Sequence, residues 1–188
     1  MDTTMSRHLF LLELWLESLV FQTKKSKSPL NYPLCARVRF LECPEFSIEQ
    51  GDPGTVITSG RIELKFAGGR SVLFAMDPVD LLGKMERQPL VVSFFSGKET
   101  DIRPNVVARS SVPLANDLWG TVVESLTCST LPVSKTVSGS YPLVSARTEV
   151  KLGEMSLYAR LVCFRESIVT EFDLNSGVQT YVAPKEQD

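Results

Sequence analysis

An all-β fold, an antiparallel eight-stranded β-sandwich with short connecting helices, is what this sequence predicts. Apolar and polar residues alternate with a period of two in segment after segment, which is how a strand with one buried face reads. Glycine, proline and asparagine punctuate the intervals, and almost no long stretch carries a helical period. The 188 residues, 43% hydrophobic and 22% charged, fit one globular domain with a core of its own. We expect residues 1–8 to be a flexible lead, 9–164 the sandwich, and 165–188 a C-terminal extension, partly ordered or linker.

The first strand is expected between Leu9 and Phe21. Phe10, Leu12, Leu14, Leu16 and Val20 line one face, and Glu13 and Glu17 stand on the other beside Leu11 and Trp15. Next, Ala36, Val38 and Phe40 alternate with Arg37 and Arg39. Ile62, Leu64 and Phe66 alternate with Arg61, Glu63 and Lys65, and Ala67-Gly68-Gly69-Arg70 is expected to turn the chain into a second hairpin strand, Ser71 to Met76. Asp77-Pro78 supplies a capping carboxylate and a first-turn proline, so one or two helical turns follow.

Leu90 to Phe95 and Val106 to Leu114 are further strands around a polar loop. A longer connection, with Asn116 and Asp117 as candidate caps of a short helix, runs to about Ser138, and strand resumes near Tyr141. The last segment sets Met155, Leu157, Ala159, Leu161 and Cys163 on one face against Ser156, Tyr158 and Arg160 on the other. Trp15 and Trp119 are expected to pack in the core or at the sandwich edge.

Composition narrows the function classes. Twenty basic against twenty-two acidic side chains, a formal charge of −2, argue against general attraction to nucleic acid. Glu13 and Glu17 interrupt the one apolar run that could serve as a signal core or a span, so the thiols are expected in a reducing, cytoplasmic setting. Cys35, Cys43, Cys128 and Cys163 form no CxxC pair, and with the single histidine, His8, they make no usual zinc set, so they are expected as small buried hydrophobes. His8 reads as a solvated residue of the lead rather than a general base. No nucleophile elbow, P-loop or dinucleotide fingerprint is present, so neither an enzyme nor a cofactor is expected.

The acid pairs Asp77 with Asp80 and Glu99 with Asp101 offer few of the six to eight oxygens that calcium wants. Lys24, Lys25 and Lys27 form the densest basic run. Together with Arg37 and Arg39 they are the candidate residues for an acidic protein partner or an anionic lipid surface, worth roughly 1 kcal/mol per charge in the lipid case. The alternative reading of that run is a solvated loop.

The segment order resembles a C2 domain. The stretch Ser140 to Ala146, a loop, and Gly153 to Leu161 look like that family's last two strands, and Pro89 to Leu114 resembles its strand, calcium loop and strand. Glu99 and Asp101 match the acid-x-acid pair of calcium-binding members. Lys24, Lys25 and Lys27 stand where the partner loop should supply aspartates, and positive charge there opposes a divalent cation. The resemblance thus implies a calcium-independent member.

Short blocks over most of the chain are similar to the N-terminal domain of microtubule-associated protein 10. They are Ser6 with Leu9-Phe10 and Leu12-Glu13-Leu14; Val38 with Phe40-Leu41; Gly69, Ser71 and Leu73-Phe74; Arg87 with Pro89-Leu90; and Gly153 with Ser156-Leu157 and Arg160-Leu161. This resemblance implies a non-enzymatic scaffold domain of the cytoskeleton, at microtubules, centrosome, spindle, midbody or cilium. Its partners would be cytoskeletal, centriolar or ciliary proteins, including microtubules, whose outer surface is acidic. Peripheral recruitment to anionic membrane through the lysine run is the alternative.

Overall fold

In the computed structural model the segment expected as the first strand is one long strand, β1 (His8–Gln22). The structure describes residues 7–22, 34–50, 55–58, 60–96, 105–115, 118–128, 130–165, 169–172 and 179–182. Phe10, Leu12, Leu14 and Leu16 point into the core as the alternation requires. Glu17 is then an extra residue with no opposite number on the neighbouring β9 (Lys151–Arg165), where Leu16 pairs with Leu157 and Ser18 with Ser156. The bulge reverses the alternation, so Leu19 and Phe21 are buried in place of the expected Val20.

The two segments expected as a hairpin are a single strand, β5 (Arg61–Met76), running antiparallel to β1 over its length. Ala67-Gly68-Gly69-Arg70 is not a turn. Ala67 takes a left-handed φ of 46° at an irregularity opposite Glu17, and the two glycines serve close approach. A Cβ on Gly68 would stand 2.5 Å from the Glu49 carbonyl oxygen, and one on Gly69 would stand 2.5 Å from Cε3 of Trp15. Flexibility and lack of bulk favour the same residue, and here the missing side chain is what the fold uses.

The remaining strands are β2 (Leu34–Arg39), β3 (Phe46–Glu49), β4 (Thr55–Thr58), β6 (Leu90–Ser96), β7 (Asn105–Val112) and β8 (Val133–Ser145). They pair in the order β3-β2-β6-β7-β8-β9-β1-β5-β4. Among the described residues, apart from the four-residue rim strand β4, eight strands make two antiparallel layers, β8-β9-β1-β5 and β3-β2-β6-β7. One edge is joined by the short β7–β8 pairing, Ala108 with Ser145 and Arg109 with Val144. At the other edge Arg70 donates to the Ser47 carbonyl (3.1 Å), and the Gln50 side chain donates to the Lys65 carbonyl (2.9 Å). Between the layers Phe66 meets Phe94 edge-on at 5.9 Å and Phe40 meets Phe74 at 5.4 Å, both within the range of favourable aromatic pairs.

Among the described residues two helices link the layers and pack on each other. In α1 (Pro78–Arg87), Asp77 accepts from the backbone N–H groups of Val79 and Asp80, as the capping signal predicts. At ten residues it is longer than the turn or two expected, because Leu81 and Met85, one turn apart, both reach the core. In α2 (Trp119–Thr127), the N-cap is Leu118, without a side-chain bond. The candidate caps Asn116 and Asp117 lie outside the described residues. Arg165, at the end of β9 with φ 56°, bonds the other end of α2 through the Ser125 and Cys128 carbonyls.

Two further expectations are corrected, and one segment takes a structure that the sequence did not signal. Strand β8 begins at Val133 rather than near Tyr141, because its early residues, VSKTVSGS, are too polar to signal a strand on their own and are held by pairing to β9. Beyond β9 the chain forms a small hairpin of β10 (Val169–Phe172) and β11 (Gln179–Val182), where the sequence carries no clear pattern. Trp15 and Trp119 remain 45% and 44% exposed instead of being packed away.

Candidate interaction surfaces

Strand β2 turns Leu34, Ala36 and Val38 inward, which places Cys35, Arg37 and Arg39 on the outward face of its layer. Register decides what stands beside them. Arg37 pairs with Ser47 of β3 on one side and Ser93 of β6 on the other, and Ser93 pairs with Arg109 of β7. Arg70 reaches the Ser47 carbonyl from across the sandwich edge. The result is a transverse row, Arg70, Ser47, Arg37, Ser93, Arg109, with Arg39 two residues along β2. Strands lie about 4.8 Å apart, so Arg37 and Arg109 are carried about 10 Å apart on the backbone.

The row is partly ordered by its own contacts. The Arg37 guanidinium lies 4.8 Å from the centroid of the Phe95 ring, a cation–π arrangement that holds it against the sheet. Arg109 is ion-paired with Glu149, whose left-handed φ of 56° sits in the loop between β8 and β9. Arg39 is exposed. Two of the five candidate residues are thereby brought onto one face; Arg109 joins them there and Arg70 reaches the edge of that face from β5. Neither was singled out from the sequence, since one lies in the glycine stretch and the other alternates inconspicuously with Ala108 and Ser110. Lys24, Lys25 and Lys27 lie outside the described residues, as do Glu99 and Asp101.

Asp77 and Asp80 belong to the start of α1, where the Asp77 carboxylate is occupied with backbone N–H groups. Among the described residues no group of three or more His, Cys, Asp or Glu side chains could hold a metal ion. His8 is not a solvated lead residue. It opens β1, is 8% exposed, and its Nδ1 lies 3.8 Å from Sγ of the buried Cys163. Burial pushes the Cys163 thiol up, so it stays protonated at neutral pH and packs rather than reacts.

All four cysteines are free; Cys35 and Cys163 are buried, whereas Cys43 and Cys128 are half-exposed, less hidden than expected. A polar cleft of 710 Å³ at the far end of the β1–β5–β9 face is lined by Ser18, Gln22, Arg61, Glu63, Lys151 and Glu154. Its cations are paired within it, Arg61 with Glu63 at 3.1 Å and Lys151 with Glu154 at 2.9 Å. No described helix is long and apolar enough to cross a membrane.

No curated protein matches the chain. Among solved structures it is similar to a C2 domain-containing protein, at 14% identity and a TM-score of 0.45 over 79% of this chain and 85% of that one. It is similar to CC2D1B at 12% identity and a TM-score of 0.45, over 85% of this chain and 55% of that one. It is also similar to a C2 domain of plant Extended Synaptotagmin 1, at 11% identity and a TM-score of 0.41, over 79% and 91%. The family described as Microtubule associated protein 10, N-terminal domain, matches residues 27–165, from before β2 to the last residue of β9. The chain belongs to that family.

Proposed function

We propose that this chain is a non-enzymatic, calcium-independent interaction domain that works at microtubules or at the centrosome, spindle, midbody or cilium. Its binding unit is the sandwich, expected over residues 9–164 and taken here with His8 at the start of β1 and Arg165 at the end of β9, with the residues before it as a lead and those after it as an extension. Its partner is an acidic protein surface, the microtubule wall or a protein seated on it. The carrying observation is the outward arginine row, in which Arg37, Arg39 and Arg109 share the face of one layer and Arg70 reaches its edge from β5. Membership of a microtubule-associated family supports the choice of partner. Lys24, Lys25 and Lys27 add charge to the same task, and opposite-sign potentials of this kind steer encounter and fix orientation.

Co-sedimentation with stabilised microtubules tests the reading. Arg37→Glu with Arg39→Glu, and separately Glu at the three lysine positions, are expected to weaken binding about tenfold or more each, and high salt should weaken the unaltered chain too. Binding unchanged by both sets would sink the proposal. Flotation with phosphatidylserine vesicles, indifferent to calcium, in a chain that ignores microtubules would transfer the basic face to an anionic membrane instead.

A further inference from the structure

The layer opposite the arginines has an outward face of different character. Its four strands β8-β9-β1-β5 align Trp15 with Tyr158 and Gly69, Glu13 with Arg160 and Ser71, and Leu11 with Val162 and Leu73. Trp15 is 45% and Leu73 53% exposed, and Leu11 and Tyr158 are half-exposed. On β8 the same rows end in Thr136 and Ser138. Glu13 and Arg160 form an ion pair at 3.4 Å with 36% and 41% of their side chains accessible. Apolar and short polar side chains therefore surround one ion pair, with the exposed Glu17 of the β1 bulge beside Trp15 at the rim.

We propose that this face binds a second copy of the chain, forming a twofold dimer. The strand order is symmetric about the seam between β1 and β9, with β5 outside one and β8 outside the other. A twofold axis along that seam, parallel to the strands, lays β1 of one copy over β9 of the other at the same height. Because Glu13 and Arg160 are cross-strand partners, each Glu13 then meets the partner's Arg160, and each Trp15 meets the partner's Tyr158. This is the self-complementarity that an isologous interface requires. Face-to-face sheet packing is an ordinary arrangement, and the two facing Glu13–Arg160 pairs attract across it.

Four strands about 4.8 Å apart and some six residues of strand length give roughly 400 Å² of sheet per copy. That lies below the roughly 800 Å² per partner of a standard stable interface, so the dimer is a weak, reversible one. Arg37, Arg39 and Arg109 are on the other layer and stay open in both copies, so dimerisation would add avidity to any binding made there.

Sedimentation velocity of the full chain from about 5 to about 500 μM should show a reversible monomer–dimer shift. Glu13→Arg alone and Arg160→Glu alone should each raise the Kd about tenfold or more, since like charges then face each other. An equimolar mixture of the two variants should dimerise again, because every facing pair is once more opposite in sign. Circular dichroism and thermal melting check that each variant is folded. A chain monomeric throughout the range, single variants that dimerise as well as the parent, or a mixture that does not recover would each overturn the proposal. No microtubules enter these measurements, so their failure is separate from failure of the proposed function.

Discussion

Replacing Gly68 by alanine separates two uses of a glycine pair. In an exposed turn with a compatible backbone, alanine would be neutral or would stabilise by about 0.4–1 kcal/mol through the unfolded state. In the structure the new Cβ stands 2.5 Å from the Glu49 carbonyl oxygen and 2.9 Å from Cγ2 of Ile48. That oxygen is backbone, held where Glu49 pairs with Cys35, so it cannot swing aside as a side chain would. Relief requires β3 to retreat from β5, stretching the Gln50-to-Lys65 and Arg70-to-Ser47 bonds that close this edge.

Overpacking typically costs about 1–3 kcal/mol, and loosening one of those partly exposed bonds adds about 0.5–1 kcal/mol, so we expect a loss of about 2–4 kcal/mol. For a chain of this size that is a fall in Tm of roughly 5–12 °C. Urea unfolding followed by circular dichroism gives the free energy directly. Ala67→Gly is the internal control. It releases a left-handed residue, worth about 1 kcal/mol, against a similar or smaller unfolded-state entropy cost, so it should be neutral to slightly stabilising. Gly68→Ala matching or exceeding the parent in stability would refute the close-approach reading.

Two other perturbations follow from single side chains. Arg165→Ala removes the donors to the Ser125 and Cys128 carbonyls at the end of α2 and should cost about 1–2 kcal/mol in the same unfolding assay; an unchanged midpoint would show that the helix end is satisfied without it. Cys128 is half-exposed and its thiol is held below the usual range by hydrogen bonding to Thr130, while burial pushes the Cys43 and Cys163 thiols up. At neutral pH Cys128 therefore carries the larger thiolate fraction and should take iodoacetamide several-fold faster than Cys43 or Cys163, with Thr130→Val slowing it. Faster labelling of Cys43, read by peptide mass, would contradict that ordering.

The strands that were legible are those whose own side chains carry the alternation. Ala36, Val38 and Phe40, or Met155 through Cys163, are buried where the period of two puts them. The start of α1 was readable because Asp77 and Pro78 act on backbone groups within one turn. Polar strand was not legible, as the first half of β8 shows, because its conformation is imposed by hydrogen bonds to β9. On the basic face Arg37 and Arg39 could be noticed by their alternation, but Arg70 and Arg109 could not, since they are distant in sequence and meet the row through pairing alone.

From sequence alone come the all-β class, most of the inward-facing residues, the helix cap and the resemblance to the family to which the chain belongs. These follow from chemistry local to a few neighbouring residues. Tertiary structure decided that Glu17 bulges and sends Leu19 and Phe21 inward, that Gly68 and Gly69 admit a neighbouring backbone and an indole ring rather than turn the chain, and that His8 is buried beside Cys163. It also decided which charges share a face. The physical reason is that strand register joins residues far apart in the chain, and a shift of one position exchanges core for surface.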